Sequence, residues 1–197
     1  MSPAREAKAP APGRTGPRRA RAWMLAALAA ACCAVGRSAP EVPEVQVKAA
    51  FLFHFTQFVV WSEKDFPSPD APFVIGVFGP DPIDAALRPM VQGERVGGHP
   101  LEVRHLARPS EAADCNMIYV PDGSEEAFRS ARTGTEPVLT VGESDRFLAT
   151  GGMIEFFSDH SHVRLRINLE AARASSLQIS SKLLRVAQVV TPSSLTR

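Results

Sequence analysis

The chain has 197 residues, 45% of them hydrophobic, and a formal net charge of +1 at pH 7. This length and apolar content suit one medium-sized domain with its own core. Six of the basic residues but only one acidic residue fall within residues 1–36, so the rest of the chain is mildly acidic and carries no basic run. These features argue against nucleic acid as a partner.

The first 39 residues have the composition of a leader. Residues 1–17 are rich in Ala, Pro, Gly and Arg, which is typical of a disordered segment. Arg18, Arg19 and Arg21 then precede a run of fourteen apolar residues, 22–35, an order that is typical of a secretory signal peptide. A single transmembrane anchor is the alternative, but the run is shorter than the ~18 residues that a membrane span usually needs.

Small residues at positions 34 and 36 supply a cleavage site. We therefore expect the mature protein to begin near Arg37 and to be periplasmic. Cys32 after three alanines and the pair Arg18-Arg19 leave lipoprotein and twin-arginine variants of export open. Residues 40–197 are expected to form a single α/β domain.

The stretch 47–61, VKAAFLFHFTQFVVW, is predicted to be the central helix of this domain. It is apolar nearly all round, so it must be buried on more than one side. Helical spacing of Val47, Phe51, His54 and Phe58 marks the predicted core stripe. An alternative leaves one aromatic face for a partner, with Phe55 at the margin of the stripe as the main contact. The residues predicted to bind a partner are Phe51, Phe55, Phe58, Trp61, Gly151 and Gly152.

Strands and helices are predicted to alternate along the rest of the chain. The predicted strands are 73–79, 101–106, 117–120, 137–141, 153–157 and 162–167, the last two joined as a hairpin. The predicted helices are 82–91 after Asp81, 110–114, one that begins at Ser124, 144–149, 169–174 capped by Asn168, and 180–190 capped by Ser180. This order predicts an α/β three-layer sandwich: a mostly parallel sheet of about six strands with a C-terminal antiparallel hairpin, flanked by helices.

No motif in the sequence predicts catalysis, a cofactor or a metal. The glycine patterns of dinucleotide-binding and phosphate-binding loops are absent, as is the G-x-S-x-G pattern of a hydrolase elbow. Asp159, His160 and His162 resemble half of a metal site but lack a second pair of ligands. Gly151-Gly152 is expected to serve backbone geometry rather than an oxyanion. Cys115 has no partner once the leader is removed, so it is expected to be a buried small residue without a disulfide.

Several segments in combination resemble the YfiR family of exported bacterial proteins. They are 47–55 with Trp61; VIGVFGPDP at 74–82; PVLTVGES at 137–144; GGMI at 151–154; and VRLRINLEAAR at 163–173 leading into LQISSKLL at 177–184. The resemblance implies a periplasmic repressor that binds the sensor part of an inner-membrane diguanylate cyclase, YfiN, and lowers cyclic-di-GMP output.

The resemblance also implies control through cysteines, and here the sequence departs from the pattern. Cys115 matches a family cysteine at the head of the third strand, but its usual partner on the first strand is replaced by Gly76. The second cysteine pair of the family, near Gly151-Gly152, is missing. Switching by disulfides is therefore not expected.

Three functional hypotheses follow from the sequence. The first is a periplasmic regulator that binds an inner-membrane sensor protein such as a diguanylate cyclase, with a homodimer as a further expected assembly. The second is a periplasmic protein that binds a small ligand in the crevice at the carboxyl ends of its strands. The third, an enzyme with an unrecognised hydrolytic site, is the least supported because the motifs are missing.

Overall fold

The computed structural model describes residues 42–131 and 137–191. The predicted leader and signal peptide, residues 1–39, lie outside the described residues. Within these two ranges, no helix is both long enough and apolar enough to cross a membrane.

The described part of the chain alternates helices and strands. The helices are α1 Glu44–Phe58, α2 Pro82–Val91, α3 Glu125–Ala131, α4 Leu169–Ala174 and α5 Ser181–Leu184, with short 3-10 helices at Glu63–Asp65 and Pro109–Asp114. The strands are β1 Val59–Val60, β2 Phe73–Phe78, β3 Arg95–Val96, β4 His99–Leu106, β5 Met117–Val120, β6 Leu139–Gly142, β7 Ile154–Asp159, β8 His162–Asn168, β9 Gln178–Ile179 and β10 Gln188–Val190.

Eight of these strands form one sheet in the order β10-β8-β7-β6-β5-β2-β4-β3. The pairs from β4 through β2, β5 and β6 to β7 are parallel, whereas β8 runs antiparallel to β7. The β7–β8 turn has positive φ at both His160 (48°) and Ser161 (64°), as a two-residue hairpin loop requires. β1 and β9 form a separate two-stranded sheet. The predicted α/β architecture and C-terminal hairpin are confirmed.

Hydrophobic cores cover both faces of the sheet. Alternate residues of β2 point to opposite sides, so Ile75 and Val77 join the larger core whereas Val74 and Phe78 join the smaller one. The larger core holds the buried faces of α1 and α2, and the smaller one holds α3 through Phe128. The sheet is therefore the middle layer of three, as predicted.

The prediction of a last helix over residues 180–190 is wrong beyond Leu184. Residues 188–190 form β10, which pairs in parallel with β8 in the register Gln188↔Arg166 and Val190↔Asn168. Two adjacent β-branched residues, Val189 and Val190, favour a strand, and the free edge of β8 supplies the backbone partners. The short strands β3 and β10 raise the sheet from about six strands to eight. The segment 144–149, predicted as a helix, is a run of turns.

α1 begins at Glu44, after Pro43, and ends at Phe58, three residues before the predicted end. Its buried residues are Ala49, Leu52, Phe55 and Thr56. The predicted core stripe is wrong, because His54 is exposed and Val47, Phe51 and Phe58 are only half-buried. Phe55 does not lie at a margin: its side chain is fully buried, at 0% exposure. Aromatic residues on every side of the helix leave its inward face undefined by hydrophobicity alone.

Candidate functional site

The end of α1 places Trp61 in a fixed position. β1 carries the chain away from the helix, and the Trp61 ring meets Phe73 edge-on with centroids 4.8 Å apart. The Trp61 Nε1–H donates a hydrogen bond to the carbonyl oxygen of Thr56 (3.1 Å), one of the carbonyls that the end of the helix leaves without a helical partner. The ring is therefore held both by packing and by a hydrogen bond.

Phe66 and His99 form a stacked pair that lines the same cleft as Trp61. Their rings stack with centroids 3.6 Å apart and an interplanar angle of 4°. His99 is 5% exposed, and its Nδ1 lies 2.7 Å from the carbonyl oxygen of Ala71. Because a carbonyl oxygen can only accept, Nδ1 carries a hydrogen and donates it. This contact fixes the orientation of the imidazole ring.

A cleft of about 210 Å³ lies between these groups, and we call it the Trp61 cleft. Val59 and Val96 add aliphatic surface to the aromatic walls, while Gln57, Glu63 and His99 add polar groups. Val60, the neighbour of Trp61 in the chain, is 60% exposed and adds apolar surface beside the cleft. The cleft and Val60 together combine aromatic walls, a few polar groups and an exposed apolar side chain.

The structure separates the residues that were predicted to bind a partner. Trp61 lines the cleft, and Phe51 and Phe58 are half-buried on α1. Phe55 is enclosed between Phe51 and Phe156, with ring centroids 6.1 and 6.0 Å away, so its ring has no surface to offer. Partner contact through Phe51, Phe58 and Trp61 stays a prediction.

Gly151 and Gly152 belong to a different region. Gly152 is buried, and a Cβ atom placed there would come within 2.3 Å of the Phe147 ring. Phe147 is part of the smaller core, on the face of the sheet opposite α1. Gly151 has φ of +93°, which favours glycine. Both glycines thus have local packing or backbone reasons to be present, and they do not share a surface with the α1 aromatics.

The three residues predicted as structural motifs have clear local roles. The Asn168 Oδ1 accepts a hydrogen bond from the Ala171 N–H (3.1 Å) at the start of α4, and the Ser180 Oγ accepts one from the Lys182 N–H (3.3 Å) at the start of α5. Cys115 is buried, at 4% exposure. Burial raises the pKa of its thiol to about 11, so the unreactive protonated form dominates at neutral pH.

A polar network that the sequence did not predict lies at the carboxyl edge of the sheet. Lys48 of α1 places Nζ 2.6 Å from Glu44 Oε1 and 2.8 Å from Glu143 Oε1, just after β6. The Tyr119 hydroxyl, at the end of β5, donates a hydrogen bond to the same Glu143 carboxylate. Lys48, the one Lys or Arg in the apolar stretch 47–61, was the signal in the sequence that could have indicated a half-buried ion pair.

The network shifts the pKa values of its members. Burial alone would lower the pKa of Lys48, but the hydrogen bonds and charges of Glu143 and Glu44 outweigh it and raise that pKa. Burial, with the hydrogen bond to Glu143 and its charge, raises the pKa of Tyr119. The polar groups satisfy one another, so the network ties α1 to the sheet rather than presenting a reactive group.

The histidines of the β7–β8 turn make local contacts. His160 Nδ1 lies 2.7 Å from Asp159 Oδ1, and His162 Nδ1 lies 2.8 Å from the carbonyl oxygen of His160. In the part of the chain that the structure describes, no three His, Cys, Asp or Glu side chains are grouped as metal ligands.

Comparison with known proteins identifies the family. No curated protein matches the chain. A protein-family model described as YfiR/HmsC-like matches residues 45–188, from α1 to the first residue of β10. Because this match covers well over half of its length, the chain belongs to the YfiR/HmsC-like family.

Proposed function

We propose that the protein is an exported periplasmic regulator that binds and represses a membrane signalling protein, a diguanylate cyclase that makes cyclic-di-GMP. Membership of the YfiR/HmsC-like family and the leader-like composition of residues 1–39 support this proposal. The structural observation that carries it is the Trp61 cleft with its exposed neighbour Val60.

The cleft has the properties of a protein-binding surface. Tryptophan is among the residues that contribute most to binding at protein interfaces. Trp61 and His99 are both held by hydrogen bonds to backbone carbonyls, so a partner would not have to order them. A preformed cleft of this kind loses less conformational entropy on binding than a mobile loop does.

The ionisable groups favour binding over catalysis. Glu155, at 1% exposure, lies 2.6 Å from Arg166, and Lys48 lies between two carboxylates. The thiol of Cys115 has a raised pKa, whereas a nucleophilic cysteine needs a lowered one. These groups serve internal contacts and supply no pair of nucleophile and base.

The second hypothesis, a small ligand at the carboxyl ends of the strands, has less support. The helices that follow β2 and β5 pack on opposite faces of the sheet, α2 in the larger core and α3 in the smaller one. This places the expected crevice between these two strands. Lys48, Tyr119 and Glu143 stand at this edge but bind one another.

The test uses capture from solubilised membranes of the host by the tagged protein. We expect the wild type to recover a diguanylate cyclase, and Val60→Asp to lose it because the new carboxylate would be desolvated in the interface. Val186→Asp is the matched control, since Val186 is 63% exposed but lies next to β10, at the sheet edge opposite β3.

Cellular cyclic-di-GMP gives the second readout. Loss of the gene and the Val60→Asp variant should both raise it, whereas Val186→Asp should not. Equal capture by all three proteins would move the interface away from the Trp61 cleft. Recovery of no diguanylate cyclase, together with unchanged cyclic-di-GMP after loss of the gene, would refute the proposed function.

A further inference from the structure

The donors of Trp61, Thr56 and His99 in the Trp61 cleft are already engaged within the protein, whereas the amide of Gln57 can both donate and accept. The Trp61 N–H donates to the carbonyl oxygen of Thr56, and the Thr56 hydroxyl donates to that of Phe53 (2.7 Å). His99 uses Nδ1 for Ala71, which leaves Nε2 without a hydrogen-bond partner among the described residues. In the neutral ring Nε2 is an acceptor. An occupant therefore meets an acceptor at His99.

The charge of the cleft is negative. Glu63 is the one charged side chain among the described residues that line it, and its carboxylate forms no ion pair within the described ranges. Arg95, on the neighbouring β3, donates a guanidinium N–H to the carbonyl oxygen of Gly98 and forms no ion pair with Glu63. Gln57 adds an amide whose oxygen can also accept. A cation that donates hydrogen bonds fits these groups best.

The walls and the size of the cleft narrow the choice of cation further. Trp61 offers the aromatic surface that cations bind best, and Phe66 also lines the cleft. The volume of about 210 Å³ is smaller than the roughly 300–1,000 Å³ of a small-molecule pocket. It suits one long side chain. Arginine combines a planar guanidinium that stacks on aromatic rings with several donors in fixed directions, which lysine lacks.

We propose that the Trp61 cleft binds an arginine side chain that the signalling partner presents. The guanidinium stacks against Trp61, pairs with the Glu63 carboxylate and donates to His99 Nε2. This inference rests on the proposed function and adds to it the chemistry of the residue that the partner contributes.

Trp61 itself can report on occupancy. The chain has two tryptophans, Trp23 and Trp61, so the full chain with Trp23→Phe carries its only indole in the cleft. The probe is the capped peptide acetyl-Gly-Arg-Gly-amide. Its controls replace arginine by citrulline, which has nearly the same shape but no charge, and by norleucine, which is apolar. We expect a saturable change in Trp61 emission with the arginine peptide and at least tenfold weaker binding of both controls.

Variants at Glu63 and Lys64 separate the contribution of charge to peptide binding from the contribution of shape. Glu63→Gln should weaken the arginine peptide about five- to tenfold and leave the citrulline peptide unchanged. Lys64→Gln is the matched control, because Lys64 is the next residue but does not line the cleft, and it should not weaken binding. Equal affinity for arginine and citrulline, tighter binding of norleucine, or no saturable response would each overturn the proposal.

The two proposals fail separately. If capture of the cyclase depends on Val60 while the arginine peptide does not bind, the regulator stands and the arginine contact is refuted. If the peptide binds as expected but no diguanylate cyclase is captured and cyclic-di-GMP does not change, the cleft still recognises arginine and the assigned partner is wrong.

Discussion

Gly76 and Cys115 are neighbours across β2 and the segment that leads into β5. A Cβ atom at Gly76 would lie 2.8 Å from the Cys115 sulfur. The resemblance to the family implied that Gly76 occupies the position of the usual cysteine partner, and the geometry agrees. The missing disulfide is therefore a change of one residue in a site that still has the shape for it.

Gly76→Cys should form a disulfide with Cys115. Closing a loop of about 40 residues should stabilise the oxidised protein by about 4 kcal/mol. Leu106 must move, because its Cδ1 would lie 2.6 Å from the new Cβ, and such overpacking costs about 1–3 kcal/mol. The measurements are thiol titration in denaturant and the melting temperature with and without reductant.

Two controls isolate the disulfide in that experiment. Gly76→Ser adds a side chain of similar size without the bridge and should only lose stability. The wild type should melt at the same temperature with and without reductant, because Cys115 is the one free cysteine in the described part of the chain. Two titratable thiols in the oxidised Gly76→Cys protein without residues 1–36, and hence without Cys32 and Cys33, would contradict the prediction.

At the scale of the element, α1 runs from the carboxyl ends of the strands to their amino ends. Its first turns hold Lys48 at the carboxyl edge, and its end leads into Trp61 and the cleft. Its aromatic residues have different environments. Phe55 packs on Phe51 and Phe156, whereas the half-buried Phe58 stacks on the exposed His54 with centroids 6.0 Å apart.

Phe55→Ala should therefore destabilise the protein far more than Phe58→Ala. We expect a loss of about 3–5 kcal/mol for Phe55, from burial and the cavity left behind. For Phe58 we expect about 1–2 kcal/mol, because only part of its surface leaves water on folding. Urea unfolding of both variants measures the difference. Equal losses would mean that Phe58 is as deeply packed as Phe55.

The network around Tyr119 predicts a loss of stability in alkali. A group whose pKa is raised by folding contributes its full stabilisation of the folded state below its ordinary pKa, and this stabilisation falls as the pH rises. The ordinary pKa values are 10.0 for tyrosine and 10.5 for lysine. The stabilisation from both Tyr119 and Lys48 is therefore lost as the pH rises above about 10. Tyr119 alone should cost up to about 1.4 kcal/mol per pH unit there, and Tyr119→Phe should remove that part of the slope.

Tyrosinate absorbance tests this directly, because Tyr119 is the only tyrosine of the chain. The folded protein should show no tyrosinate at a pH where the protein in denaturant is already half ionised. A folded-state titration that coincides with the denatured one would show that Tyr119 is neither buried nor bound to Glu143.

At the scale of the whole molecule, local patterns in the sequence predicted the layers but not the site. β2 was readable because six consecutive buried residues are bounded by Pro72 and Gly79. β10 could not be predicted from the sequence, because its residues form a strand only by pairing with β8. The cleft depends on the stacking of Phe66 on His99, residues far apart in the chain, and no local period encodes such a contact. Trp61 was predicted as a contact residue, but His99, which lines the cleft with it, was missed for this reason.

The proposed function requires that the folded domain reaches the periplasm. We expect N-terminal sequencing of the protein from its host to begin near Arg37, and osmotic shock to release it with periplasmic markers. Leu28→Arg, in the middle of the apolar run 22–35, should block export and leave the leader attached, because a charge there opposes membrane insertion. Leu28→Ile preserves the apolar run and should be exported like the wild type. Membrane-bound protein that still contains Trp23 and Leu25 would instead support the single transmembrane anchor, with the Trp61 cleft presented to the partner from a tethered domain.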